Sequence, residues 1–157
     1  MKTKSSRVLR SCVCVLTVYV LAAAAFDSSE ITNAEYLQFV QATRHPAPEY
    51  WFHGRFPEGR DREPVVLVDF DEAASYCRFV GKRLPTVDEW KSTCEAGKLK
   101  KSGDIWEWTS TDVDIGGQAY KALCGPAHTC DCSHRYLPQW KNGVKGFRCV
   151  QDAAPVT

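Results

Sequence analysis

The sequence predicts an α+β domain, low in regular secondary structure and braced by disulfides. Three observations lead there. Three segments with helical spacing and side-chain caps lie before residue 97, short strand candidates follow them, and cysteines recur at positions 77, 94, 124, 130, 132 and 149.

The chain opens on a different kind of segment. Lys2, Lys4, Arg7 and Arg10 precede an apolar run from Val13 to Leu21, closed by the small residues Ala22 to Ala25. Basic, then apolar, then small is the order of a secretory signal peptide. The run falls short of the roughly 20 apolar residues that a membrane span needs, and a retained anchor is the alternative reading. Cleavage after Ala25 would leave a domain of residues 26–157, exported to a periplasm, an extracellular space or a secretory lumen, with no stable membrane span. Cys12 and Cys14 would leave with the signal. Four of the 20 basic residues go with it, so 16 Lys and Arg face 19 Asp and Glu, a net charge of about −3. Such a balance offers no basic patch for nucleic acid. An even set of six cysteines in an oxidising compartment reads as a disulfide framework, and six cysteines allow 15 pairings.

The first helix is announced by Thr32 and Glu35, a capping box ahead of "NAEYLQFVQAT", in which Tyr36, Phe39 and Val40 share one face. A second should run from about Asp71 to Val80, with Ala74, Cys77, Phe79 and Val80 near its buried side and Gly81 as its stop. The third begins after Thr86, with Glu89 reaching back, and ends before Gly97. Between the first two, "RHPAPEYWFHGRFPEGRDREP" is a loop that must pack by its own side chains. "PVVLVDF" (64–70) reads as a short strand or an extended lead-in to the second helix. "GDIWEWTS" is a compact segment. After Gly116 the chain looks irregular, with strand candidates near Ala119 to Leu123 and Gly146 to Val150, and the tail from Gln151 should fray. Trp51, Trp90, Trp106, Trp108 and Trp140 are assigned to the core, and Glu107 to a buried, partnered carboxylate. Lys82 and Arg83 should be solvated or brace the loop that they occupy.

Cys77 falls within the second helix and Cys94 in the last turn of the third. Helices that diverge from the short loop "GKRLP" do not bring two Cα atoms within about 7 Å, so each cysteine should reach a separate partner downstream.

Five segments in order, "EITNAEYLQFV", "HPAPEYW", "PVVLVDFDEAASYCRFVGKRLPTVDEWKSTC", "GDIWEWTS" and "GFRCV", resemble the formylglycine-generating enzyme family, also called the sulfatase-modifying factor domain. The likeness spans most of residues 30–150, in a shortened form. It implies a C-type-lectin-like fold. It also implies an oxidase that converts a cysteine of a target protein, within a Cys-x-Pro-x-Arg segment, to formylglycine with molecular oxygen and copper(I). Copper(I) is soft and prefers thiolates, which explains a cysteine pair as its holder. The same resemblance implies disulfides joining Cys77 to Cys149 and Cys94 to Cys132. That leaves Cys124 and Cys130 as the catalytic and copper-binding pair.

Departures accompany the likeness. Five residues rather than four separate Cys124 from Cys130, and Gly116, Gly117 and Gln118 stand where the family has Gly-Gly-Ser. "EAGKLKKS" is too short to carry one of the family's two calcium sites. The other would use the backbone at Gly103 and Ile105 and the Glu107 carboxylate, but Lys100 replaces an asparagine ligand, and an ammonium cannot coordinate a cation. Read without the resemblance, Cys124 and Cys130 form a third structural disulfide. His128 and His134 beside Cys130 and Cys132 raise zinc, without the usual ligand spacing. Two functions remain open: a copper-dependent protein-cysteine oxidase, or a non-catalytic relative using the same scaffold to bind a protein or glycan.

Overall fold

A computed structural model describes residues 25–153; the expected export signal, residues 1–25, lies outside them except for Ala25. Three helices, α1 (Asn33–Thr43), α2 (Phe70–Phe79) and α3 (Val87–Glu95), come after a short β1 (Ala25–Phe26). The remaining strands follow: β2 (Trp106–Ile115), β3 (Gln118–Gly125), β4 (Asp131–Tyr136), β5 (Lys145–Gly146) and β6 (Val150–Gln151).

All three helices start with the same device. Thr32 with Glu35, Asp69 with Glu72 and Thr86 with Glu89 each exchange side-chain and backbone hydrogen bonds, satisfying amides that the helix leaves unpaired. Asp69 is the cap that moves α2 one residue ahead of its expected start. Its buried stripe is Ala73, Tyr76 and Cys77, one helical face. Phe79 and Val80, expected on the buried side, fall off that face and are exposed. The segment 64–70 is an extended lead-in rather than a strand: the Val65 amide donates to the Ile31 carbonyl at 2.9 Å, and Val65 and Val68 are buried. The long loop packs by its own aromatics, with Trp51 edge-on to both Tyr36 and Phe56.

The region after Gly116 is more regular than its cysteines and glycines suggest. β2 and β3 form an antiparallel hairpin closed by Gly116 and Gly117, both in the left-handed region that glycine tolerates. β4 adds to β3, and β5 lies parallel to β2, giving the order β4-β3-β2-β5. The expected strand near Gly146 to Val150 divides in two: β5 joins this sheet, while β6 pairs with β1, so Gln151 sits opposite Ala25 instead of fraying.

Strand alternation gives the sheet two buried faces. Trp108 and Leu123 face an aromatic core of Tyr36, Phe39, Tyr76 and Phe147, supplied by α1, α2 and the chain end. On the other face Cys124 meets Trp90 and Cys94 of α3. Four of the five tryptophans are at least partly buried, but Trp140 is 52% exposed, because it sits in the turn after β4.

Candidate functional site: a cysteine cluster over a buried ion pair

α3 delivers Cys94 from its last turn, β3 delivers Cys124, and the chain entering and forming β4 delivers Cys130 and Cys132. All four gather against Trp90. Their bonds differ from the expected ones. Cys94 is joined to Cys130, not Cys132, with Cα atoms 5.8 Å apart, and Cys124 is joined to Cys132, not Cys130, at 4.0 Å. The reason is the unforeseen strand β4. Cys132 lies within it, beside Cys124 on the neighbouring strand, whereas Cys130 precedes it in the loop that passes α3. Cys77 is joined to Cys149 with Cα atoms 5.6 Å apart, tying α2 to the chain end.

The donor set therefore does not fit copper(I). The metal needs two thiolates facing one another, and Cys124 and Cys130 are consumed in bonds to different partners. Gly116, Gly117 and Gln118, which replace the expected Gly-Gly-Ser, form the hairpin tip at the opposite end of β3 from Cys124.

Gly125 brings the loop after β3 down onto β2. Its φ is +147°, and a Cβ there would stand 2.5 Å from the Ile105 carbonyl oxygen, so only glycine allows the approach. The Gly103 carbonyl accepts the Ala127 amide at 3.0 Å. Lys101 then crosses this loop: its ammonium donates to the carbonyls of Pro126, at 3.3 Å, and Thr129, lies 3.2 Å from Cys94 Sγ, and sits over the Trp90 ring.

Beneath the cluster lies Arg148, fully buried, with five donated hydrogen bonds. Nε and Nη2 bind the two oxygens of Glu107 at 2.6 and 2.7 Å, and the remaining three go to the carbonyls of Asp27, Ser28 and Lys100. The Trp90 indole also donates to Glu107, at 2.8 Å. Glu30 lies 3.8 Å from the guanidinium and holds Ser102 through its amide and hydroxyl. Burial pushes the Glu107 carboxyl upward, opposed by its bonds to Arg148. For Arg148, burial opposes the charge, Glu107 together with Glu30 and Asp27 more than offsets that, and the guanidinium is held above its ordinary range.

This geometry does not favour the calcium expectation either. Both Glu107 oxygens are taken by a guanidinium, Gly103 is engaged by Ala127, and Ile105 is covered by Gly125, so Gly103, Ile105 and Glu107 do not open toward a common cation. Among the described residues no group of three or more His, Cys, Asp or Glu side chains is arranged to hold a metal. His134, weighed for zinc, packs against the Trp106 ring instead.

Glu107 is the buried carboxylate read from its place between two tryptophans. Its partner Arg148, within "GFRC", is not legible in the sequence, because 41 residues separate the two. Lys82 pairs with Asp27, and Arg83 with Glu89 and Asp152, so both brace the loop between α2 and α3.

A small α+β domain with a short curled sheet, three capped helices and cysteines tying the first half to the last defines a sulfatase-modifying-factor type of module. Residues 16–102 match the sulfatase-modifying factor enzyme 1-like domain, and the chain belongs to that family. A formylglycine-generating enzyme of Streptomyces coelicolor is 31% identical over 243 aligned positions, covering 81% of this chain and 77% of that protein. An alignment longer than this 157-residue chain opens long gaps in it, as a shortened member requires. The mouse protein named inactive C-alpha-formylglycine-generating enzyme 2 is 34% identical over 53% of this chain, which spans 28% of that protein's length. The crystal structure of CarF shares the fold, with a TM-score of 0.62 and 13% identity over 83% of this chain and 87% of that one.

Proposed function

We propose that this chain is an exported member of the family that has lost copper chemistry and serves as a disulfide-braced binding module for a protein partner. One observation carries the reading: Cys124 and Cys130, the two cysteines available for the metal, are locked to Cys132 and Cys94. Three disulfides fit an oxidising compartment, and among the described residues no helix is long and apolar enough to cross a membrane. The basic, apolar and small order of residues 1–25 supports export.

The competing reading is an oxidase that converts a cysteine of a target protein to formylglycine. It is favoured by the relatives' names and by four cysteines sharing one apolar cluster. That reading requires both the Cys94–Cys130 and the Cys124–Cys132 bonds to open before a thiolate pair exists. One experiment separates the two. The protein, untreated and after mild reduction, is titrated with copper(I) and incubated in air with a peptide carrying Cys-x-Pro-x-Arg. The binding-module reading expects no thiolate-to-copper absorption in the untreated protein and no mass change in the peptide in either arm. Peptide oxidation that disappears in Cys124→Ala establishes the oxidase instead.

A further inference from the structure

The chain segment after β4 forms a shallow cleft of about 430 Å³, lined by Glu49, Leu67, Tyr136, Gln139, Trp140 and Lys141. It shares no residue with the cysteine cluster. Its size lies within the range typical of small-molecule sites.

The cleft is built in advance rather than left to chance. The Leu67 amide donates to the Asn142 carbonyl at 3.1 Å, and the Phe70 amide to the Pro138 carbonyl at 3.0 Å. Lys141 holds Glu72 at 2.7 Å and reaches Asp69 at 3.7 Å, so the turn carrying Trp140 is fixed to the start of α2 at three points. Leu67 has a φ of +57°, unusual for a branched side chain and a feature that clusters at binding sites. Tyr136 meets Trp140 edge to face, with ring centroids 5.5 Å apart, which sets the direction of the indole. An indole held this firmly yet 52% exposed offers an open platform beyond its contact with Tyr136.

The rim decides what the platform accepts. Glu49 and Gln139 are exposed, and among the described residues neither side chain has a hydrogen-bond partner or an ion pair. Glu49 and Lys141 carry opposite charges, and Lys145 lies 3.4 Å from the centre of the Tyr136 ring, itself buried and without a carboxylate partner among the described residues. A cationic ligand would meet the Lys141 ammonium, which Glu72 and Asp69 hold at the cleft wall; an anionic one would meet Glu49. A neutral ring with one apolar C–H face and several hydroxyls meets neither penalty. It can lie on the indole while its hydroxyls exchange hydrogen bonds with the carboxylate and amide at the rim.

We propose that Trp140, Tyr136, Glu49 and Gln139 form a binding site for a neutral pyranose sugar. The ring's C–H face would lie on Trp140, with Glu49 and Gln139 taking its hydroxyls. A fixed platform limits the ordering cost of binding, which suits the weak, shallow recognition that this cleft allows. The proposal goes beyond the binding-module reading and stands apart from the copper question.

The test uses the full disulfide-bonded protein with methyl β-D-glucopyranoside, methyl β-D-galactopyranoside, cellobiose and lactose. Binding is followed by tryptophan fluorescence and by magnetisation transfer from the protein to the sugar C–H protons. Saturable binding of at least one sugar is expected, weakened about tenfold or more in Trp140→Ala, less in Trp140→Phe and also in Glu49→Gln. Because Trp140 is half exposed, Trp140→Ala should lose part of its packing and still be folded at the assay temperature, which a thermal melt checks and which separates lost binding from lost folding. No saturable binding by any of the four sugars, or equal binding by Trp140→Ala, overturns the proposal. So does tighter binding of N-acetylarginine amide or acetate than of every sugar. None of these results bears on whether the cysteines take copper.

Discussion

Arg148 concentrates more of the molecule's constraints than any other described side chain. Its five donors reach β2, the N-terminal segment and Lys100 at once, and its charge faces Glu107 with Glu30 alongside. Removing one member of a buried pair strands the other in a medium that cannot solvate it. Arg148→Met should therefore cost about 3–5 kcal/mol in urea unfolding with the disulfides intact. Adding Glu107→Leu should recover part of that loss; a double variant as unstable as the sum of the two single ones would contradict the pairing. The surface offers a gentler case. Hydrogen bonding from Arg83, then from Thr86, holds Glu89 at about 2, against an ordinary 4.5. A carboxyl depressed in the folded state adds stability above its ordinary pKa and loses it as pH falls through the folded value. Wild type should accordingly exceed Glu89→Gln in stability above pH 4.5, and the gap should close as pH approaches about 2, as measured by thermal melts across that window.

At the level of elements, the helices were legible because their signals are local. A threonine followed three residues later by glutamate fixes a helix start without reference to the rest of the chain, and α1 and α3 begin where Thr32 and Thr86 place them. Asp69 with Glu72 is an equally local signal, with aspartate in place of threonine, and Asp69→Ala should cost about 1 kcal/mol, read from the urea midpoint at constant slope. The sheet was less legible. β2 runs ten residues through "WEWTSTDVDI", but its outer half is polar and exposed, so the apolar alternation that marks a half-buried strand fades after Trp108. β4, "DCSHRY", owes its place to pairing with β3 rather than to any pattern of its own. Gly125 is where this sheet turns toward the cysteine loop. Gly125→Ala should lose on the order of 1–3 kcal/mol from backbone conformation alone, with the contact at Ile105 adding to it, whereas Gly143→Ala, facing open space, should be close to neutral by the same urea assay.

Over the whole molecule, the three disulfides tie α2 to the chain end, α3 to the loop before β4, and β3 to β4, across separations of 72, 36 and 8 residues. The general arrangement, in which Cys77 and Cys94 each bond downstream, is legible in the sequence because two diverging helices cannot share a bridge. Choosing between Cys130 and Cys132 depended on which of them lies inside β4, and no local pattern reveals that strand. The candidate metal pair dissolved for that single reason. Covalent connectivity thus decides whether a metal pair exists, and peptide mapping of the oxidised protein under non-reducing conditions reads it directly. Crosslinked peptides joining Cys77 to Cys149, Cys94 to Cys130 and Cys124 to Cys132 are the predicted result. A peptide joining Cys124 to Cys130, or recovery of those two cysteines as free thiols, would contradict it.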